Sequence, residues 1–212
     1  KNDNEENKQS VQYHDFGAKG DGKTDDLEAI AKAHAYANKH GLKVRADDNA
    51  TYYIGTKDLS VSIMTNTNFG SAKFIIDDTR VDNIKTNVFT VVSAYNSVAI
   101  KGIYSLKKGQ KKILNPLGVN TIVTVNNNKV KHFIRKGANK NNGSPQQDSF
   151  LIDKDGNINQ NTLIIWDFAE ITNINALPVD TQPITIRGGK FATVANSAES
   201  KYTYYARGIT IQ

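Results

Sequence analysis

Residues 15–41 read DFGAKGDGKTDDLEAIAKAHAYANKHG, and this stretch decides the fold. Val11 to Phe16 alternates apolar and polar residues, as a short strand does, and then breaks at Gly17. Gly17, Gly20 and Gly22 permit the left-handed backbone that a tight turn needs. Thr24, Asp25 and Asp26 follow as candidate oxygens for a helix N-cap. Asp25 and Asp26 are adjacent carboxylates, but an acid at a helix start is held ionised and reads as a cap rather than as half of an acid–base pair. From Leu27 the residues form helix readily, with Leu27, Ile30, Ala31 and His34 on one face, and Gly41 supplies a stop.

Beyond Gly41 the period changes. Leu42–Val44, Thr51–Ile54, Leu59–Met64, Lys73–Ile76, Val88–Val92 and Ser97–Ile103 are short β-branched or aromatic runs divided by Asp, Asn, Gly or Thr. Thr121–Val125, Lys129–Arg135, Phe150–Asp153, Thr162–Trp166, Ile184–Ile186 and Tyr202–Ile211 continue the series. Such spacing fits a stacked solenoid or a sandwich, and spacing alone does not choose between them. The runs NTIVTV and KVKHFIRKG, joined by Asn126, Asn127 and Asn128, predict a protruding β-hairpin.

Charge is unevenly spread along the chain. The formal total is +6 over 212 residues, yet from Asn83 to Gln147 there is no acid and eleven Lys or Arg. That block predicts a positive surface suited to a polyanion or an acidic neighbour, or a solubilising lysine-rich loop. It holds few aromatics and no recognition motif, so nucleic acid is not the expected partner. There is no cysteine, hence no disulfide or thiolate metal site, and no apolar run long enough for a membrane span. The chain opens on Lys1, its single methionine is Met64, and its last strand-like run has no cap after it. The expectation is therefore a piece of a longer protein, with residues 1–10 as a polar tether.

The segment Asp15–Gly41 resembles the N-terminal signature of the pectate-lyase-like superfamily, in which a DFGAxGDGxxDD turn leads into a helix capping a right-handed parallel β-helix. TYYIG, NFGSAKFIIDD and VFTVV resemble the first coils of the same group. That group includes phage tailspikes, preneck appendages and polygalacturonase-like enzymes. The resemblance implies an all-β right-handed parallel β-helix with an N-terminal capping helix, expected to be truncated at its C-terminal end, and the charge block with its two strand-like runs adds a basic hairpin insertion. It divides the chain into 1–10, 11–41 with strand, turn and cap, 42–106 with the first coils, 107–147 with the basic insertion, and 148–212 with further coils. It implies a virion-tail or secreted protein that binds and degrades a cell-surface polysaccharide, a homotrimer if virion-derived. A secreted bacterial lyase or hydrolase and a non-catalytic adhesive β-helix are the alternatives.

Candidate chemistry is sparse. Asp77 and Asp78 close the run KFII, where a glycosidase could place two carboxylates, although consecutive strand residues point to opposite faces. Lys129, Lys131, Arg135 and Lys136 are the candidate ligands of an anionic glycan such as teichoic acid or a uronate polymer. Trp166, Tyr202 and Tyr204 are candidate sugar-stacking aromatics, or core aromatics. His14, His34, His40 and His132 stand alone, and Asp153–Asn157 reads as a turn rather than a calcium loop, so no metal and no cofactor are expected. The clustered acids with His-containing and Arg-Lys motifs of the polygalacturonase-like enzymes have no counterpart here, and Asp77 and Asp78 point apart, so this stretch by itself is expected to be catalytically silent.

Overall fold

The computed structural model describes residues 10–55, 57–81, 83, 85–197, 199 and 207–212. It is mostly β, with a single α-helix among the described residues. The chain divides into two compact units, Lys1–Ala94 with Gln182–Gln212, and Tyr95–Thr181.

In the first unit every strand pairing is parallel, and the strands stack in three columns. One column runs β1 (Ser10–Gln12), β3 (Lys43–Arg45), the start of β6 (Thr67–Asp77) and the start of β12 (Ile186–Val194). A second runs β2 (Asp21–Asp25), β4 (Thr51–Ile54) and the later halves of β6 and β12. The third holds β5 (Val61–Ile63), β7 (Phe89–Val91) and β13 (Ile209–Ile211). Inward residues alternate with outward ones, as in the pattern BeB of Val61–Ile63. Stacking in register aligns like residues. Tyr52, Phe74 and Phe191 are neighbours in one row, with ring centroids 5.2 and 4.9 Å apart, and Tyr13 meets Tyr52 edge-on at 5.2 Å.

Helix α1 (Leu27–His40) buries Leu27, Ala29, Ile30, Ala33, His34 and Ala37 in this core and ends at Gly41, whose φ of 65° closes it as the sequence predicts. The start of the helix corrects the expected cap. Asp26 holds the N-cap position, but its carboxylate turns back to accept the amides of Lys19 at 2.7 Å and Gly20 at 3.0 Å, fixing the glycine turn instead. Asp25 accepts from the Leu27 amide at 3.1 Å, and the Thr24 hydroxyl donates to Asp21 at 2.8 Å. The glycine turn has amides with no ladder partner, and the Asp26 carboxylate goes to two of them.

The second unit is antiparallel, in the order β10 (Ser144–Ile152), β9 (Thr121–His132), β11 (Asn173–Pro178), β8 (Val98–Ala99). Its own core gathers Val123, Val125, Phe150, Ile152, Ile164 and Phe168. The insertion expected at 107–147 thus belongs to a larger unit, and residues 148–181, expected as coils, pair antiparallel within it. The expected turn at Asn126–Asn128 is also corrected. Those residues continue β9, whose hairpin partner is β10, and the reversal lies at 133–143, where Phe133, Gly137, Asn139 and Gly143 have positive φ. Three asparagines imitate a turn in sequence, but Asn126 is held in the ladder by Gln147 on one side and Asn173 on the other.

Candidate polyanion-binding site

The β9–β10 reversal carries two of the four predicted basic residues, Arg135 and Lys136, to one end of the hairpin. The loop is ordered by Asn141, whose side-chain oxygen accepts the amides of Arg135 at 3.1 Å and Gly143 at 3.0 Å, and whose own amide returns to the Arg135 carbonyl. The Lys140 amide donates to the Gly137 carbonyl at 3.1 Å. Arg135, Lys136, Lys140 and Asn142 thereby line one open concavity. Three cations around one bowl, with an amide beside them, are groups of the kind that answer a carboxylate or phosphate charge.

Lys131 is exposed on the approach to this bowl. Lys129, expected in the same group, instead faces Glu170, with Nζ and Oε1 2.5 Å apart. Its charge is answered locally. Lys140 and Asn142 take its place, and no local pattern marked them, because they reach the bowl only through the turn at 137–143.

An aromatic ledge adjoins the basic loop. Trp166 is half-buried and meets His132 edge-on at 4.5 Å, and His132 meets Phe133 at 6.1 Å. Phe133 is 78% exposed at a φ of 55°, a region that bulky side chains rarely occupy and that costs on the order of 1–3 kcal/mol. The ring therefore presents an apolar face to solvent. Tyr202 and Tyr204 lie outside the described residues.

The acids separate as strand alternation dictates. Asp77 faces outward, accepting from the Tyr53 hydroxyl at 2.6 Å and from the amide and hydroxyl of Thr79 at 2.9 and 2.6 Å. The Thr79 hydroxyl first, and then Tyr53, hold its carboxyl below the usual range. It shares a cleft with Asp25, Tyr53 and Arg80. Asp78 faces inward and is 3% exposed, 3.3 Å from the guanidinium of Arg207. Burial pushes its carboxyl up, against the pull of that cation. Arg207 also donates to the carbonyls of Asp77 at 3.0 Å and Gly55 at 2.9 Å, so it ties three successive coils together. The two acids do not converge on one bond.

His14 lies against Asp47 and Asp15, and His34 is buried with its Nε2 2.9 Å from the Tyr13 hydroxyl. Among the described residues no three metal-ligating side chains gather, and no helix is long and apolar enough to cross a membrane. Asp153 closes its own turn, accepting the amides of Asp155 and Asn157 at 2.9 Å each.

No family model matches the chain, and no curated protein does. Among solved structures it is similar in fold to the tailspike protein gp49 from Pseudomonas phage LKA1, with a TM-score of 0.50 and 13% sequence identity over 86% of this chain and 34% of that one. The chain thus spans about a third of the length of the tailspike it matches.

Proposed function

We propose that this chain is part of a phage tail protein that binds a host cell-surface polysaccharide, and that its parallel unit is the beginning of a right-handed β-helix. The observation that carries the reading is the bowl of Arg135, Lys136 and Lys140 beside the Phe133–His132–Trp166 ledge, on a chain whose fold is similar to a tailspike. Cations answer acid groups, and the exposed ring of Phe133 offers one apolar face to a sugar, so the ligand class is an anionic glycan such as teichoic acid or a uronate polymer. The parallel columns support the β-helix, because a coil that returns to the same three columns must advance by one strand spacing each turn. In this reading the protein is a homotrimer on the virion, and cleavage belongs elsewhere in the full-length protein: Asp77 is committed to Tyr53 and Thr79, and Asp78 to Arg207.

Retention on immobilised polygalacturonate and on teichoic acid tests the assignment. The parent chain is expected to be retained at low salt and released as ionic strength approaches 1 M, where the Debye length falls to about 3 Å. Arg135→Glu combined with Lys136→Glu is expected to abolish retention with thermal melting unchanged. The same incubations are expected to release neither reducing ends nor unsaturated uronate. Retention that survives both salt and charge reversal would refute the binding assignment, and activity lost in Asp77→Asn would return the chemistry to these coils.

A further inference from the structure

The antiparallel unit holds a concavity at one edge of its sheet, away from the β9–β10 reversal. Thr121 is in register there with Ile152 on one side and Pro178 on the other, so Asn120 before β9, Asp153 after β10 and Val179 after β11 meet at its rim. Its volume of about 540 Å³ falls in the range of roughly 300–1,000 Å³ usual for small-molecule sites. The walls are held by backbone. The Val179 amide donates to the Asn120 carbonyl at 2.9 Å, the Asn159 amide donates to the Leu151 carbonyl at 2.9 Å, and Ile152 bridges Ile158.

The groups left over for a ligand are neutral. The side-chain amides of Asn120 and Gln160 are exposed and have no hydrogen-bond partner among the described residues. Asn159 spends only its side-chain oxygen, on the Asn161 amide at 2.8 Å, and Asn157 only its side-chain nitrogen, on Asp153 at 2.9 Å. Asp153 is the one charged residue of the lining among the described residues, and it is turned to closing its own turn. The Asn157 side chain, more than any other group, holds its carboxyl below the usual range, so it stays ionised. An anionic ligand would therefore meet a carboxylate and no cation. Each free amide offers a donor and an acceptor, as a sugar hydroxyl does, and Leu151 and Val179 place apolar surface beside them for the C–H face of a ring.

We infer that this concavity is a second glycan site, which takes a neutral disaccharide unit, with Asn120 and Gln160 on ring hydroxyls and Leu151 and Val179 against the ring. The inference rests on the reading of the chain as a glycan binder and adds to it a site of opposite character, for the uncharged part of the polymer.

Saturation-transfer NMR on the whole chain tests it, with cellobiose, lactose and N,N′-diacetylchitobiose as neutral ligands and digalacturonate as the anionic one. The first two carry hydroxyls alone and the third adds acetamido groups, so the set also reports which neutral sugar is preferred. The neutral ligands are expected to bind equally at low salt and at 1 M, whereas the digalacturonate signal fades with the screening of the hairpin cations. Asn120→Ala and Gln160→Ala are each expected to weaken neutral binding about fivefold, the effect of losing one uncharged hydrogen bond, with melting unchanged because neither side chain has a partner to lose. The double variant is expected to keep salt-sensitive retention on teichoic acid, and the hairpin variant Arg135→Glu/Lys136→Glu to keep neutral binding. No saturation of any neutral ligand, with retention on teichoic acid intact, overturns this site and leaves the hairpin assignment standing. Neutral binding that survives in the Asn120→Ala/Gln160→Ala variant, or that disappears in the hairpin variant alone, overturns it as well.

Discussion

His34 shows how one buried side chain couples this fold to pH. It is fully buried on helix α1, and burial pushes its imidazole down to about 3. In the unfolded chain the same group takes a proton near 6.5. The folded value is the lower one, so the stabilisation is complete above the unfolded value and is lost as pH falls from about 6.5 toward about 3, where it levels off. Each tenfold difference in proton affinity is about 1.4 kcal/mol, so the acid-linked loss is bounded at roughly 5 kcal/mol. The expected outcome is a melting temperature that falls steeply between pH 6.5 and 4 in the parent and less in His34→Gln, which retains a polar group for the Tyr13 hydroxyl. Parallel pH profiles for the two proteins would locate the acid sensitivity elsewhere. The sequence places His34 on the helix's apolar face, but not its burial beside Tyr13, because Tyr13 reaches it from before the glycine turn. Arg207 was less legible still. Its partners Gly55 and Asp78 are brought to it by coil stacking, and no local pattern encodes that.

At the level of elements, the helix and several of the parallel strands could be read directly, since each carries its signal within a few residues: the glycine that ends α1, the alternation of Thr51–Ile54, and the run Lys73–Ile76, which is the later part of Thr67–Asp77. The hairpin reversal was misread because Asn126–Asn128 has the composition of a turn, and only cross-strand pairing shows that it is strand. The bulges that bend the parallel strands were also invisible. At one of them Gly188, with φ 76°, lies against Gly70, with φ 51°, where β12 crosses β6. A Cβ on Gly188 would stand 2.6 Å from the Gly70 amide nitrogen and 2.7 Å from its carbonyl oxygen. Neither backbone can yield without breaking the ladder between these strands. Gly188→Ala is therefore expected to cost more than about 2 kcal/mol, combining a strained φ with a backbone clash. Gly118→Ala, where a Cβ meets nothing within 4 Å at a similar φ of 76°, isolates the conformational part. Equal melting of the two variants would show that the close approach of β12 to β6 is not tight.

The molecule joins a parallel and an antiparallel unit, and in chain order the second lies within one crossing of the first. In the parallel unit, β5 ends at Ile63 and the next coil begins at Thr67, so the crossing needs only Met64, Thr65 and Asn66. The equivalent crossing from β7, ending at Val91, to β12, beginning at Ile186, instead carries Tyr95–Thr181. Those residues hold eleven Lys or Arg against six Asp or Glu, a net +5 of the chain's +6. Every ladder partner of β7, β12 and β13 lies in the first unit, and so does the core they bury. Removing 95–181 leaves residues 92–94 and 182–185 to make the crossing, which is more chain than the coil below uses. The shortened protein is expected to fold, to keep the helical circular dichroism of α1 and a cooperative melt, and to lose salt-sensitive retention on teichoic acid with its basic bowl. A shortened chain that unfolds would mean that the antiparallel unit supports the parallel one, and a folded chain that still holds teichoic acid would move the polyanion site out of the hairpin.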